Sequence, residues 1–161
     1  MWNSRSFQYG TIEFRAKFPT GAGTWPAVWM LGAVCQSYTK TYINGASCPW
    51  PNPPGDEIDI AEILSINPGT VNQQIHSGTH SDDCKPSVDV SVYHVYDLIW
   101  QQGSMIWKID GNTTCTITGS YVPSNPMFLI MNLAIGGIGG GTPDPNVFPQ
   151  QMFVDYVEIT Q

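Results

Sequence analysis

Positive charge is scarce in this chain: six Lys and Arg stand against thirteen Asp and Glu, a formal net charge of −7 over 161 residues. A phosphate-bearing partner has to be neutralised by a basic surface, so this balance argues against nucleic acid or an anionic membrane and favours a neutral ligand. Long apolar runs are missing as well. None approaches the roughly 20 residues of a membrane span, and the N-terminus lacks the basic and apolar regions of a signal peptide. The cysteines at 35, 48, 84 and 115 show no CxxC spacing, which removes the usual zinc and redox motifs. There is also no repeat, no low-complexity tract, no long linker and no sustained helical period.

What remains is a single domain, residues 1–161, with 42% hydrophobic and 12% aromatic residues for its core. Sixteen Gly and thirteen Pro punctuate short branched or aromatic runs, the pattern of an all-β sandwich or barrel. Residues 9–18 alternate cleanly, with Ile12, Phe14, Ala16 and Phe18 on one face and Thr11, Glu13, Arg15 and Lys17 on the other. Further strands are expected at 27–32, 56–64, 71–77, 92–100, 105–110, 114–118, 127–134 and 152–160, with PTGAGTWP before the second as a loop. Asp110-Gly111 is a hairpin turn signal. An even cysteine count with few lysines and many Ser, Thr, Asn and Gln suggests a secreted protein whose export signal lies outside this sequence. Disulfides pairing Cys35 with Cys48 and Cys84 with Cys115 are expected, against the alternative of four reduced, packed thiols.

In this weakly charged chain, GDEIDIAEIL at residues 55–64 carries four acids within a strand-like run. Alternation places Glu57 and Asp59 on one face and turns Glu62 to the other, unless an extra residue is absorbed. A bulge at Ile60-Ala61 returns Glu62 to the acidic face. Two Glu carboxyl groups leaning together across Asp59 then approach the spacing of a retaining glycosidase, about 5–5.5 Å. One is needed ionised to attack a sugar carbon and the other protonated for the leaving oxygen, while Asp59 shifts its neighbours by like-charge repulsion. Clustered carboxylates also suit a calcium ion, and an acidic edge strand blunts aggregation, so three readings stand at this point.

The segment Glu57-Ile58-Asp59-Ile60-Ala61-Glu62 resembles the E-x-D-x-x-E pattern of glycoside hydrolase family 16. "YGTIEFRAKFPTGAGTWPAVWMLG", "YHVYDLIWQQGSMIWKIDG", "MFLIMNLAIGG" and "FPQQMFVDYVEI" resemble successive blocks of its laminarinase-like members, in order and over nearly the whole chain. The resemblance implies a jelly-roll β-sandwich of concanavalin or lectin-like type, N-terminally shortened because members carry further strands before the "YG" block. It implies Glu57 as nucleophile, Glu62 as acid/base and Asp59 as the carboxylate that tunes them. It further implies sugar contacts from Trp25 and Trp29, a cleft-side role for His76, and a structural calcium near Asp155. Where members often carry an Asn-Trp-Pro-Gly-like run, this chain has Ile138-Gly139-Gly140-Gly141, so one sugar-stacking aromatic is absent.

Each of these residues has a plainer reading. Trp25 and Trp29 can simply fill the core, Trp50, in the Pro-rich loop before the acidic run, can close over a sugar subsite or only anchor its loop, and Trp100 and Trp107, within strands, are expected to be core. His76 can be a satisfied structural histidine. Asn132, on the face of Phe128 and Ile130, can serve the cleft or only the backbone. The functions implied are endo-acting retaining hydrolysis of β-1,3-glucan such as laminarin, with mixed β-1,3-1,4-glucan as a further substrate. Alternatives are hydrolysis of a galactan such as agar or carrageenan, and a carbohydrate-binding module with little turnover. A transglycosylase is disfavoured, because the plant-type members usually carry the unbulged E-x-D-x-E.

Overall fold

The computed structural model describes residues 6–36 and 48–161 and is built from ten strands. In chain order they are β1 (Gly10–Lys17), β2 (Thr24–Gly32), β3 (Glu57–Glu62), β4 (Asn72–His76), β5 (Asp83–Cys84), β6 (His94–Gln101), β7 (Ser104–Ile109), β8 (Asn112–Thr118), β9 (Met127–Ile135) and β10 (Phe153–Thr160). They form two antiparallel five-stranded sheets, ordered β10-β1-β6-β7-β8 and β5-β4-β3-β2-β9. No helix among the described residues is long and apolar enough to cross a membrane.

The alternation of β1 works as its sequence demands: Ile12, Phe14 and Ala16 are fully buried. Tyr96, Leu98 and Trp100 of β6 and Met105 and Trp107 of β7 join them from the same sheet, and Val28, Met30, Ile58 and Ile60 close the core from the other. Phe14 stacks on Tyr96 with ring centroids 5.1 Å apart. Trp100 and Trp107 are core residues, as expected, and each indole finds a backbone acceptor: Pro123 O at 2.7 Å and Asp59 O at 3.0 Å. The second bond fastens the middle of β3 to the opposite sheet.

Three local features differ from, or refine, the pattern expected. β2 begins at Thr24 and not at 27, so Trp25 and Pro26 are strand residues. Proline fits because the β2–β3 ladder ends at Ala27, and Pro26 contributes only its carbonyl, which accepts from Ile63 N. The hairpin at Asp110-Gly111 has positive φ at both residues, 51° and 77°, the combination required by a type I′ turn. A four-residue helix, α1 (Gly137–Gly140), lies in the glycine run, where four positions cannot display a helical period.

Both expected disulfides form, with Cα separations of 4.7 Å for Cys35–Cys48 and 5.7 Å for Cys84–Cys115. The second ties β5, an edge strand of one sheet, to β8, an edge strand of the other. It therefore staples the sandwich shut on one side. Replacing Cys84 and Cys115 together by Ser is expected to lower unfolding free energy by about 3 kcal/mol, within the range for losing a native cross-link. Urea titration checks this, with an unchanged midpoint as the contrary result.

Candidate active site

β3 carries the site, and its register shows how. In the β2–β3 ladder Val28 pairs with Ala61 and Trp29 with Asp59, which leaves Ile60 as the extra residue. In the β3–β4 ladder Asp59 pairs with Gln74 and Glu62 with Asn72, so the same step is absorbed there. The bulge falls at Ile60-Ala61, where alternation required it, and Ile58, Ile60 and Ala61 are all fully buried. Glu57, Asp59 and Glu62 all line the opposite surface, a cleft of about 500 Å³.

The walls come from the neighbouring strands. Trp25 and Trp29 of β2, His76 of β4, Asn132 of β9 and Trp50 from the loop before β3 all line the cleft. Trp25 Nε1 donates to Glu62 Oε1 at 2.7 Å, and Trp29 Nε1 donates to Asn132 Oδ1 at 2.7 Å. Asn132 is thus a cleft residue whose amide orients an indole. Trp50 is half exposed, and its indole donates to Glu57. His76 sits across the ladder from Glu57, with Nε2 3.8 Å from Glu57 Oε1 and 3.7 Å from Asp59 Oδ2. Among the described residues no Lys or Arg lines the cleft.

Electrostatics separate the groups. Burial pushes Glu57 up to about 7, opposed by the Trp50 hydrogen bond and reinforced by the charge of Glu62. Asp59, almost wholly buried, is raised well above the usual range, first by desolvation and then by Glu57 and Glu62. Both causes favour its protonated form more than in an ordinary aspartate. Burial lowers His76 despite the pull of Glu62, so its contacts with the two carboxyls are those of a neutral imidazole and not ion pairs.

Ile138 lines the cleft with 93% of its surface exposed, and sequence reasoning missed it because one apolar residue in a glycine run has no pattern. Ser81 was also missed. Its hydroxyl accepts from Gln74 Nε2 at 2.9 Å and lies 3.4 Å from His76 Nδ1, a polar contact behind the cleft-lining histidine.

The donor atoms of Glu57, Asp59 and His76 lie within 4.8 Å of one another and could hold a metal ion. Asp155 is a different case. It is the bulged residue of β10, since Tyr156 pairs with Arg15 and Val154 with Ala16. The bulge separates Phe153, opposite Lys17, from Val157 and Ile159, opposite Phe14 and Ile12, so these side chains do not share one face. The charge that Asp155 needs comes from Arg15 Nη1 at 2.7 Å, and it joins no three-donor cluster among the described residues.

This bulged acidic strand lies inside a match to the model of glycosyl hydrolases family 16 over residues 2–158. The chain belongs to that family. It is 34% identical over 178 residues to glucan endo-1,3-beta-glucosidase A1 of Niallia circulans, covering 96% of this chain and 24% of that one. LamAcat from Zobellia galactanivorans superposes with a TM-score of 0.86 at 29% identity, covering 98% of this chain and 66% of that structure. LamA from the same organism, in complex with laminaritriose and laminaritetraose, gives 0.85 at 29% identity over 98% and 67%. The chain thus spans about a quarter of the length of that curated relative.

An unfolded Asp or Glu titrates at about 3.9–4.3. Glu57 at about 7 and Asp59 well above 3.8 therefore hold more protons folded than unfolded, and stability falls as pH rises through this window. The melting temperature is expected to drop between about pH 5 and about pH 8, and Asp59→Asn is expected to flatten the slope. Melts across that interval decide it; a wild-type curve that climbs, or an unaltered slope in the variant, contradicts the assignment.

Proposed function

We propose that the chain is the catalytic core of an endo-acting retaining glucanase that cleaves β-1,3-glucan of the laminarin type and accepts mixed β-1,3-1,4-glucan. The observation that carries this reading is the bulged strand that brings Glu57, Asp59 and Glu62 together in a tryptophan-walled cleft. In the reaction the Glu57 carboxylate attacks the anomeric carbon, the glycosidic C–O bond breaks, and Glu62 transfers its proton to the departing oxygen. Glu62 then takes a proton from water, whose oxygen displaces Glu57 and restores the original anomeric configuration. The Trp50 hydrogen bond opposes the burial that raises Glu57 to about 7 and so acts toward the ionised nucleophile, while burial and two acidic neighbours act on Asp59 toward its protonated form.

Substrate class follows from charge and shape. An acidic cleft with no Lys or Arg among its described lining residues disfavours a sulfated galactan and admits a neutral glycan, whose pyranose faces can lie against Trp25, Trp29, Trp50 and Ile138. The glucan oligosaccharides in the Zobellia relative support β-1,3-linked glucose. Two disulfides support an extracellular setting.

Reducing-end release from laminarin and lichenan, with little from agarose or carrageenan, is the expected result. Binding to laminarin without release is the outcome that favours a non-catalytic module. Glu57→Gly is expected to lose roughly 10³-fold or more in kcat and to regain turnover with azide, yielding a glycosyl azide of inverted configuration. Glu62→Ala is expected to spare substrates with good leaving groups. Identical behaviour of the two variants on an activated aryl glycoside contradicts their assigned roles.

A further inference from the structure

We propose that Gly139 is a positioning residue for catalysis: by presenting no side chain to the Trp25 indole, it sets the orientation from which that indole holds Glu62. The inference rests on the reading of Glu62 as acid/base. A Cβ built on Gly139 would lie 2.4 Å from Trp25 Cε2, 2.5 Å from Cδ2 and 2.7 Å from Nε1, distances that force the indole to move. The atoms displaced include the nitrogen that donates to Glu62 Oε1 at 2.7 Å. Gly139 is buried and is not among the glycines with positive φ, so alanine is conformationally acceptable there and steric contact is the sole obstacle.

The surrounding turn cannot simply retreat. Ser65 N donates to Gly139 O at 3.1 Å, and Ser65 Oγ accepts from Gly23 N at 2.8 Å. Gly136 N in turn donates to Gly23 O at 2.8 Å. The turn is thus pinned to the segment just after Glu62 and to the segment just before Trp25. Gly140 is held as closely, since a Cβ there would meet Gly23 O at 2.7 Å. The indole is therefore the part that must give, and it takes the hydrogen bond to Glu62 with it. Sub-ångström placement of a proton donor matters most where the leaving group needs its proton.

The test compares Gly139→Ala with Gly69→Ala, where a Cβ meets nothing within 4 Å. On laminarin, Gly139→Ala is expected to lower kcat/KM about 10–100-fold, while hydrolysis of an aryl β-glucoside with an activated leaving group changes by less than about threefold. Gly69→Ala should match wild type on both. Within a Trp25→Ala background, adding Gly139→Ala is expected to cost less than about twofold, because the contact no longer exists. Equal losses on both substrates, or a full penalty persisting without Trp25, overturn the proposal. Should Gly139→Ala be too unstable to assay, the double variant must regain the melting temperature of Trp25→Ala; failure to do so also overturns it. Glu62→Ala, assayed alongside, separates the two levels. If it spares the activated substrate and Gly139→Ala does not, Gly139 is misassigned while the role of Glu62 stands.

Discussion

One residue too many in β3 is the constraint on which the site depends. A regular strand offers every second side chain to a given face, so the run from Glu57 to Glu62 could not place both glutamates in one cleft. The step at Ile60 resolves the conflict by letting Ile60 and Ala61 both enter the core, where each is fully buried. The apolar face and the acidic face are satisfied together. Tethering of Asp59 O by the Trp107 indole of the facing sheet holds the irregular stretch where its carboxyls converge.

From that irregularity follows an asymmetric electrostatic environment. Asp59, the middle acid, is the most buried of the three, so desolvation and two like-charged neighbours act on it together. Glu57 is partly relieved by the Trp50 indole, and Glu62 is engaged by Trp25. Each glutamate carboxyl thus has its own tryptophan donor, whereas the Trp107 indole reaches only the backbone carbonyl of Asp59, whose carboxyl is shifted toward its protonated form. Three chemically similar side chains are made different by indoles from two separate parts of the chain. The tryptophans that wall the cleft are therefore also part of its charge-setting machinery, and their hydrogen bonding and any stacking on sugar rings are coupled.

The glycine run after β9 extends the same logic. Without side chains it packs against the Trp25 indole and hydrogen-bonds to the loop following Glu62, while Ile138 alone projects at the lip of the cleft. Composition marks such a run as a flexible turn. Packing makes it a wall.

The sequence by itself determined the periodic and the local. Alternation in residues 9–18, the Asp110-Gly111 turn, the core role of Trp100 and Trp107 and the need for a bulge between Asp59 and Glu62 all follow from strand geometry and residue size. The resemblance to a known family added the roles expected of the three acids and the names of the cleft tryptophans. Only the tertiary structure decided which indole serves which carboxyl, that Asn132 orients Trp29, and that Asp155 is answered by Arg15. Those pairings join residues such as Trp25 and Glu62, or Trp29 and Asn132, from strands far apart in sequence. Burial-driven shifts at Glu57 and Asp59 are likewise invisible in a linear chain, because desolvation depends on what two packed sheets exclude. A strand's own alternation is written in neighbouring residues, whereas the environment of its side chains is supplied by other strands.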